Sequence, residues 1–387
     1  MQRRTLLPLF PLAALAALTA CGGGGGDASA PSPAPAPLPP PNGSLRRLDT
    51  SAARAEHASV VMPDGEVLAI GGSAAGESSP SQQVIGFRRA SERFVERGEL
   101  LTGRFLHTAT AVSAHQVLVA GGQRSVSNTP LAELFDLRSG RSAPTPQAPD
   151  GPRHDHSATA LGDGRVLLIG GRRSFGTPPR DDAELFDLAT GRFTPLPGRL
   201  LQGRHGHGVV ALDAQRLLVF GGRTSGGAPA LPEVLDLATM RFDAAPLSWI
   251  EPAPRSGMVA LRSAGGHALL IGGVGGDDAP LPGLVSVQPA TTPLRSEAFA
   301  LRQPRARLAA AALVDGRVLI TGGMVDMGTQ GSASTELFDP TTGRSAAGPT
   351  MASARWAHSA ERLPDGSVLI FGGYDGAGYA TSVELFS

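Results

Sequence analysis

Five histidines stand three residues after an arginine: His57, His107, His156, His207 and His358 follow Arg54, Arg104, Arg153, Arg204 and Arg355. Imidazole is the commonest metal ligand and general base, so a series of them raises metal binding and proton transfer at once. The spacing argues against a shared ion. About fifty residues, or three times that, separate each pair from the next, and groups that recur in phase belong to separate repeats. The structural alternative gives each histidine a hydrogen bond in its own repeat and pairs the arginines with Glu133, Glu184, Glu233, Glu336 and Glu384.

His154 and His205 are different, because each completes a His-x-His in one of two adjacent repeats. Alternate residues of a strand share a face, so these pairs could converge. Arg172, Arg173, Arg180, Arg204 and Arg223 fall in the same two repeats, offset in part by Asp181 and Asp182. Guanidinium forks match carboxylates and phosphates, which makes the sector a candidate anion site, with solvated surface charge as its alternative. The four large amphipathic aromatics, Trp249, Trp356, Tyr374 and Tyr379, lie in loops. They are candidates for a protein or sugar contact, or they pack their own loops. No paired carboxylates, nucleophile elbow or phosphate loop stands out, and "GGVGG" at Gly272 is an in-phase diglycine.

What positions these residues is a repeat. The runs VLAIGG, VLVAGG, VLLIGG, LLVFGG, ALLIGG, VLITGG and VLIFGG place diglycines at Gly71, Gly121, Gly170, Gly221, Gly272, Gly322 and Gly372, 49 to 51 residues apart. Each unit opens on an arginine, Arg255 and Arg305 completing the series, and continues into a half-buried strand. Asp-Gly follows in four units, suiting a two-residue hairpin whose turn residues need positive φ. After the apolar strand and diglycine come a variable loop, a strand such as AELFDL, a Thr-Gly-Arg turn and a last strand such as RFTPLP. Four short antiparallel strands per fifty residues predict propeller blades.

This grammar resembles the kelch repeat, whose marks are the diglycine, the upstream Arg and the downstream Glu-aromatic-Asp strand. The resemblance covers Ser44 to Ser387 and implies an all-β fold: a seven-bladed propeller with four antiparallel strands per blade. Departures are the usual Trp, replaced by Phe94, Phe193 and Phe242 or lost, and a degraded fifth unit, "GLVSVQP". Kelch propellers include galactose oxidase, which holds copper through Tyr and His with a Cys–Tyr crosslink. Here the only tyrosines are Tyr374 and Tyr379 and the only cysteine is Cys21, so no cofactor or metal is expected. The seventh unit ends at "SVELFS", one strand short, and residues Ser44 to Asp49 are expected to supply the missing outer strand and close the ring.

The 387 residues carry no net charge, which gives no overall footprint for nucleic acid or for an anionic membrane surface. Residues 1–20 read as a secretory signal: two arginines, an apolar stretch too short to span a bilayer, then small residues. "LTAC" resembles the lipobox of bacterial lipoproteins, implying lipidation of Cys21 and, without Asp at the next position, sorting to the outer membrane. Residues 21–43 then form a Gly- and Pro-rich tether and 44–387 the propeller. The expected function is a monomeric envelope lipoprotein binding a protein or glycan on its diglycine-side loops. The alternative is a carbohydrate-active enzyme resembling the mutarotases of this fold.

Overall fold

A computed structural model describes residues 43–74, 80–124, 131–226, 230–245, 255–291, 293–327 and 330–387. Cys21 and Trp249 lie outside them. The apolar run before each diglycine is a strand buried along its length, as at Val67–Ile70, Val318–Thr321 and Val368–Phe371. It is apolar on both faces because a neighbouring sheet covers each face. Seven four-stranded antiparallel units result among the described residues, numbered here as blades 1 to 7 in chain order. Blade 1 comprises Ala58–Val61, Val67–Ile70, Gln83–Arg88 and Arg93–Glu99. The degraded fifth unit keeps the pattern, with Gly283–Gln288 as its third strand.

First strands touch from blade to blade around the ring, and Ser359–Arg362 of blade 7 meets Ala58–Val61 of blade 1. The fourth strand of blade 7 is Leu45–Leu48, antiparallel to Val383–Phe386 with Leu45 opposite Phe386. Ser44 and Ser387 exchange both backbone hydrogen bonds at 3.1 Å, and Leu48 is buried in the packing between blades 7 and 1. Arg46–Glu92 and Arg89–Asp365 bridge the same seam from outside; exposed pairs of this kind contribute well below the buried leucine.

Each opening arginine is buried and ties its blade together. One guanidinium nitrogen donates to the carbonyl of its own blade's first diglycine residue in all seven blades, from Arg54 to Gly71 through Arg355 to Gly372. In five blades the other nitrogen meets the glutamate of the third strand, as in Arg104–Glu133 at 2.5 Å. Blade 1 substitutes Gln83, and in blade 5 the nitrogen on Gly272 also donates to the Gly283 carbonyl. The glutamate in turn accepts an N–H of the loop entering the blade, for example Leu201 N–H on Glu233 at 2.8 Å.

The arginine's own carbonyl accepts the N–H of the preceding blade's second glycine at 2.7–3.0 Å in all seven cases, Gly373 to Arg54 closing the series. That contact explains the diglycine. A Cβ on Gly71 would lie 2.7 Å from the Arg104 carbonyl oxygen and 2.9 Å from the His107 ring, and both glycines have positive φ.

Two outcomes follow from this framework. Deleting Ser44–Thr50 exposes the edge of Val383–Phe386 and should lower the melting temperature and cause aggregation; an unchanged melt and monodisperse elution would contradict the closure. Arg204→Met leaves Glu233 buried without its cation and should cost about 3–5 kcal/mol in denaturant melts. Exposed Arg173→Met should stay within about 0.5 kcal/mol.

Candidate functional site: the diglycine-side mouth of the channel

The second residue after each opening arginine stands where the first strand turns into the blade: Glu56, Leu106, Asp155, Gly206, Gly257, Arg307 and Ala357. All seven have φ between 51° and 65°. Five of them carry side chains, at a cost of about 1–2 kcal/mol each for an L-residue in this region. Backbone hydrogen bonds join neighbours around the mouth, Gly206 N–H to the Asp155 carbonyl and Ala357 N–H to the Arg307 carbonyl, both at 2.9 Å. The conformation is therefore imposed by the ring, and non-glycine residues held this way concentrate at functional sites.

Three of the seven are charged. Glu56 and Arg307 bridge blades 1 and 6 at 3.3 Å. Asp155, 2 % exposed, takes His154 Nδ1 at 3.1 Å and Arg172 Nε at 3.0 Å on Oδ2, with His205 Nδ1 at 3.6 Å, while its Oδ1 has no hydrogen-bond partner among the described residues. Burial pushes both carboxyls above their usual range, against Arg307 for Glu56 and against His154 and Arg172 for Asp155. Burial, reinforced by Arg172 and Arg223, lowers His205 to about 3. Below the mouth, Glu56, His57, Ser59, Thr108, Val259 and Arg307 help to line a cavity of about 40 Å³ between the first strands. It has room for a few waters and none for a sugar ring, so this cavity itself holds no larger ligand.

The sequence candidates divide. His154, His205 and Arg172 do converge, on Asp155, and the exposed Phe175 covers them, 4.7 Å from the His154 ring and 4.8 Å from the Arg172 guanidinium. Arg204 is a correction: fully buried on Glu233, it belongs to the framework and reaches no ligand. Arg180 is held by Asp182 and Asp150, and Arg223 by Asp278 of the next blade and by Ser256. Of that cationic sector, Arg173 is the exposed member without an ion pair among the described residues.

Trp356 is a second correction. At 3 % exposure it is a foundation, stacked on Tyr374 at 4.6 Å with the Arg307 guanidinium 5.1 Å above its ring. Tyr374 and Tyr379, 5.2 Å apart, are half-buried at its edge. Glu56, Asp155 and Arg307 went unnoticed in the sequence. The available signal was glycine at two of the seven equivalent positions, which marks positive φ.

The in-phase histidines are seams between blades. His57, His156, His207 and His358 meet hydroxyls of the preceding blade, Ser359, Thr108, Ser157 and Thr321, at 2.7–3.0 Å.

The family model described as the KLHDC2/KLHL20/DRC7 Kelch-repeats domain matches residues 56–273 and 155–373. The chain belongs to the kelch-repeat family. No curated protein matches it. Among solved structures it is similar to a fungal alcohol oxidase of the AA5 family in complex with copper, with TM-score 0.68, 17% identity, and coverage of 89% of this chain and 76% of that one. At that identity the likeness is one of fold. The kelch propeller described here does not fit copper. Among the described residues no three or more His, Cys, Asp or Glu side chains are grouped to hold a metal. Asp155, the carboxylate nearest two imidazoles, already carries the Arg172 guanidinium, a fixed positive charge where the ion would sit.

Protonation of the kelch framework predicts an optimum. His57, His107 and His207 titrate at about 3 folded, chiefly through burial, against 6.5 ordinarily. The unfolded chain therefore binds more protons between those values, and stability is lost as pH falls below 6.5. Glu361 does the opposite. It accepts from Ser59 Oγ at 2.5 Å across the blade 7–blade 1 seam, and burial raises it from 4.5 to about 7. Its stability is fully present below 4.5 and lost as pH rises through 7, by at most about 3 kcal/mol. Glu361→Gln should raise the melting temperature at pH 8 and leave it unchanged at pH 4.5; equal shifts at both would refute the assignment.

Proposed function

We propose that this kelch propeller is a protein-binding module that captures its partner on the diglycine-side face of blades 2 to 4, held at a bacterial cell envelope through lipidated Cys21. One observation carries the location. Leu101, Phe175, Leu201 and Leu231, 42 to 58 % exposed, all belong to loops on that side in successive blades, beside the charged mouth. Large apolar side chains left in water together mark an interaction surface, and rigid scaffolds carry function on such loops. The loops entering blades 2 and 4 are anchored beneath: Leu101 N–H and Leu201 N–H are fixed on Glu133 and Glu233. Leu231 N–H bonds Gln202 Oε1. Pre-ordered loops lose little entropy on binding.

Sequence reading centres recognition on blade 7. The burial of Trp356 moves it toward blades 2 to 4, leaving Tyr374 and Tyr379 as a separate stacking platform suited to a glycan. The raised carboxyls of Glu56 and Asp155 favour a second reading, proton transfer on a sugar bound over the mouth, as in a mutarotase or epimerase.

Pull-down from detergent-solubilised envelope separates these. Protein capture should be lost in Leu201→Asp/Leu231→Asp and kept in Val314→Asp, whose exposed valine lies on the opposite turn side. Loss in Val314→Asp with retention in the double variant would place the site on the wrong face. A glycan-array signal abolished by Tyr374→Ala/Tyr379→Ala, without protein capture, would favour the sugar. Sugar mutarotation lost in Asp155→Asn would favour the enzyme.

A further inference from the structure

We propose that the turn side of the propeller docks on an anionic lipid surface through a rim of unpaired arginines, so that the diglycine-side face points away from the membrane. The fourth strands of blades 2, 3, 4 and 6 open on Arg141, Arg192, Arg241 and Arg344, all exposed. Each stands directly opposite an aspartate on the third strand, Asp136, Asp187, Asp236 or Asp339. A cross-strand ion pair is the ordinary outcome of that register. None forms among the described residues, because each carboxylate is turned into its own tight turn. Asp136 accepts Arg138 N–H at 2.8 Å, Asp187 accepts Ala189 N–H at 2.8 Å, Asp236 accepts Thr239 N–H at 2.7 Å and Asp339 accepts Thr341 N–H at 2.8 Å. The guanidinium groups are left to solvent at four equivalent places around the rim.

The chain enters the propeller on this side. Ser44 pairs with Ser387 at the turn-side end of blade 7, and exposed Arg47 follows in the closing strand. Residues 21–43 could extend on the order of 70 Å, several times the height of a blade, so a tether cannot fix which face meets the bilayer. Charge can. Arginines near an anionic surface each strengthen attachment roughly fivefold, and the attraction decays within about a Debye length.

The inference rests on the envelope reading for its place in a cell, and its test does not. The chain from residue 21 onward, carrying Cys21→Ser so that no acyl group contributes, is sedimented with vesicles of pure phosphatidylcholine or with about one-third phosphatidylglycerol. Binding is expected to the anionic vesicles alone, fading as salt is raised from about 50 to 500 mM. Arg192→Glu/Arg241→Glu/Arg344→Glu should weaken it more than tenfold with an unchanged melting temperature. The corresponding lysine triple variant should retain it, and Arg173→Glu on the other face should leave it intact. No preference for anionic vesicles, or equal loss in Arg173→Glu, would overturn the proposal. Acylation of the wild-type chain at Cys21, followed by mass spectrometry, reports on the anchor separately.

Discussion

A buried guanidinium in every blade is the constraint on which the rest of the structure depends. Removing an arginine from water costs several kcal/mol unless its donors are met. Here the acceptors are a carbonyl at the end of the second strand and a carboxylate, amide or carbonyl of the third. The arginine therefore fixes the spacing of three strands where the chain enters them. Its own carbonyl accepts from the preceding blade, which extends the same geometry around the ring. The diglycine is a consequence of that approach, since a Cβ on its first glycine would collide with backbone of the next blade and one on its second with backbone of its own.

The histidines inherit their state from the same arrangement. Buried beside arginine, His57, His107 and His207 are held neutral far below the usual imidazole range. A neutral ring can accept from or donate to a hydroxyl across the seam, whereas a protonated one would add uncompensated charge beside a buried cation. The four histidines that meet a hydroxyl are thus a structural device, and acid acts on their four seams together.

This division explains what could be read from the amino acids alone. Blade-to-blade contacts repeat, so they impress the same residues on the sequence every fifty positions, and the ring, its closing strand and the Arg–Glu pairs were all legible. A site must break symmetry to recognise one ligand. Glu56, Asp155 and Arg307 occupy a position that also holds Leu, Gly and Ala; glycine at two of the seven marks its backbone, and no periodic signal names its chemistry. Amphipathicity misleads in the opposite direction: Trp356 reads as a contact because such aromatics are enriched at interfaces, yet it supports Arg307 from below. Arg204 was grouped with loop cations when its phase already made it a member of the buried series.

Symmetry and asymmetry meet at the residue two places after each arginine. The framework forces this position into positive φ in all seven blades, whether or not the residue is suited to it. Glycine would serve at every one, and it stands at two. Five blades instead accept the cost of a side chain, of which Glu56, Asp155 and Arg307 carry charge. An ionisable residue in this strained position adds what glycine cannot: the Glu56–Arg307 pair ties blade 1 to blade 6, and Asp155 holds His154 and Arg172. Its compensation lies in the electrostatics it brings to the mouth, where a low-dielectric wall strengthens every charge. The fold's most repeated element therefore presents its least repeated chemistry, with Asp155 Oδ1 still without a hydrogen-bond partner among the described residues.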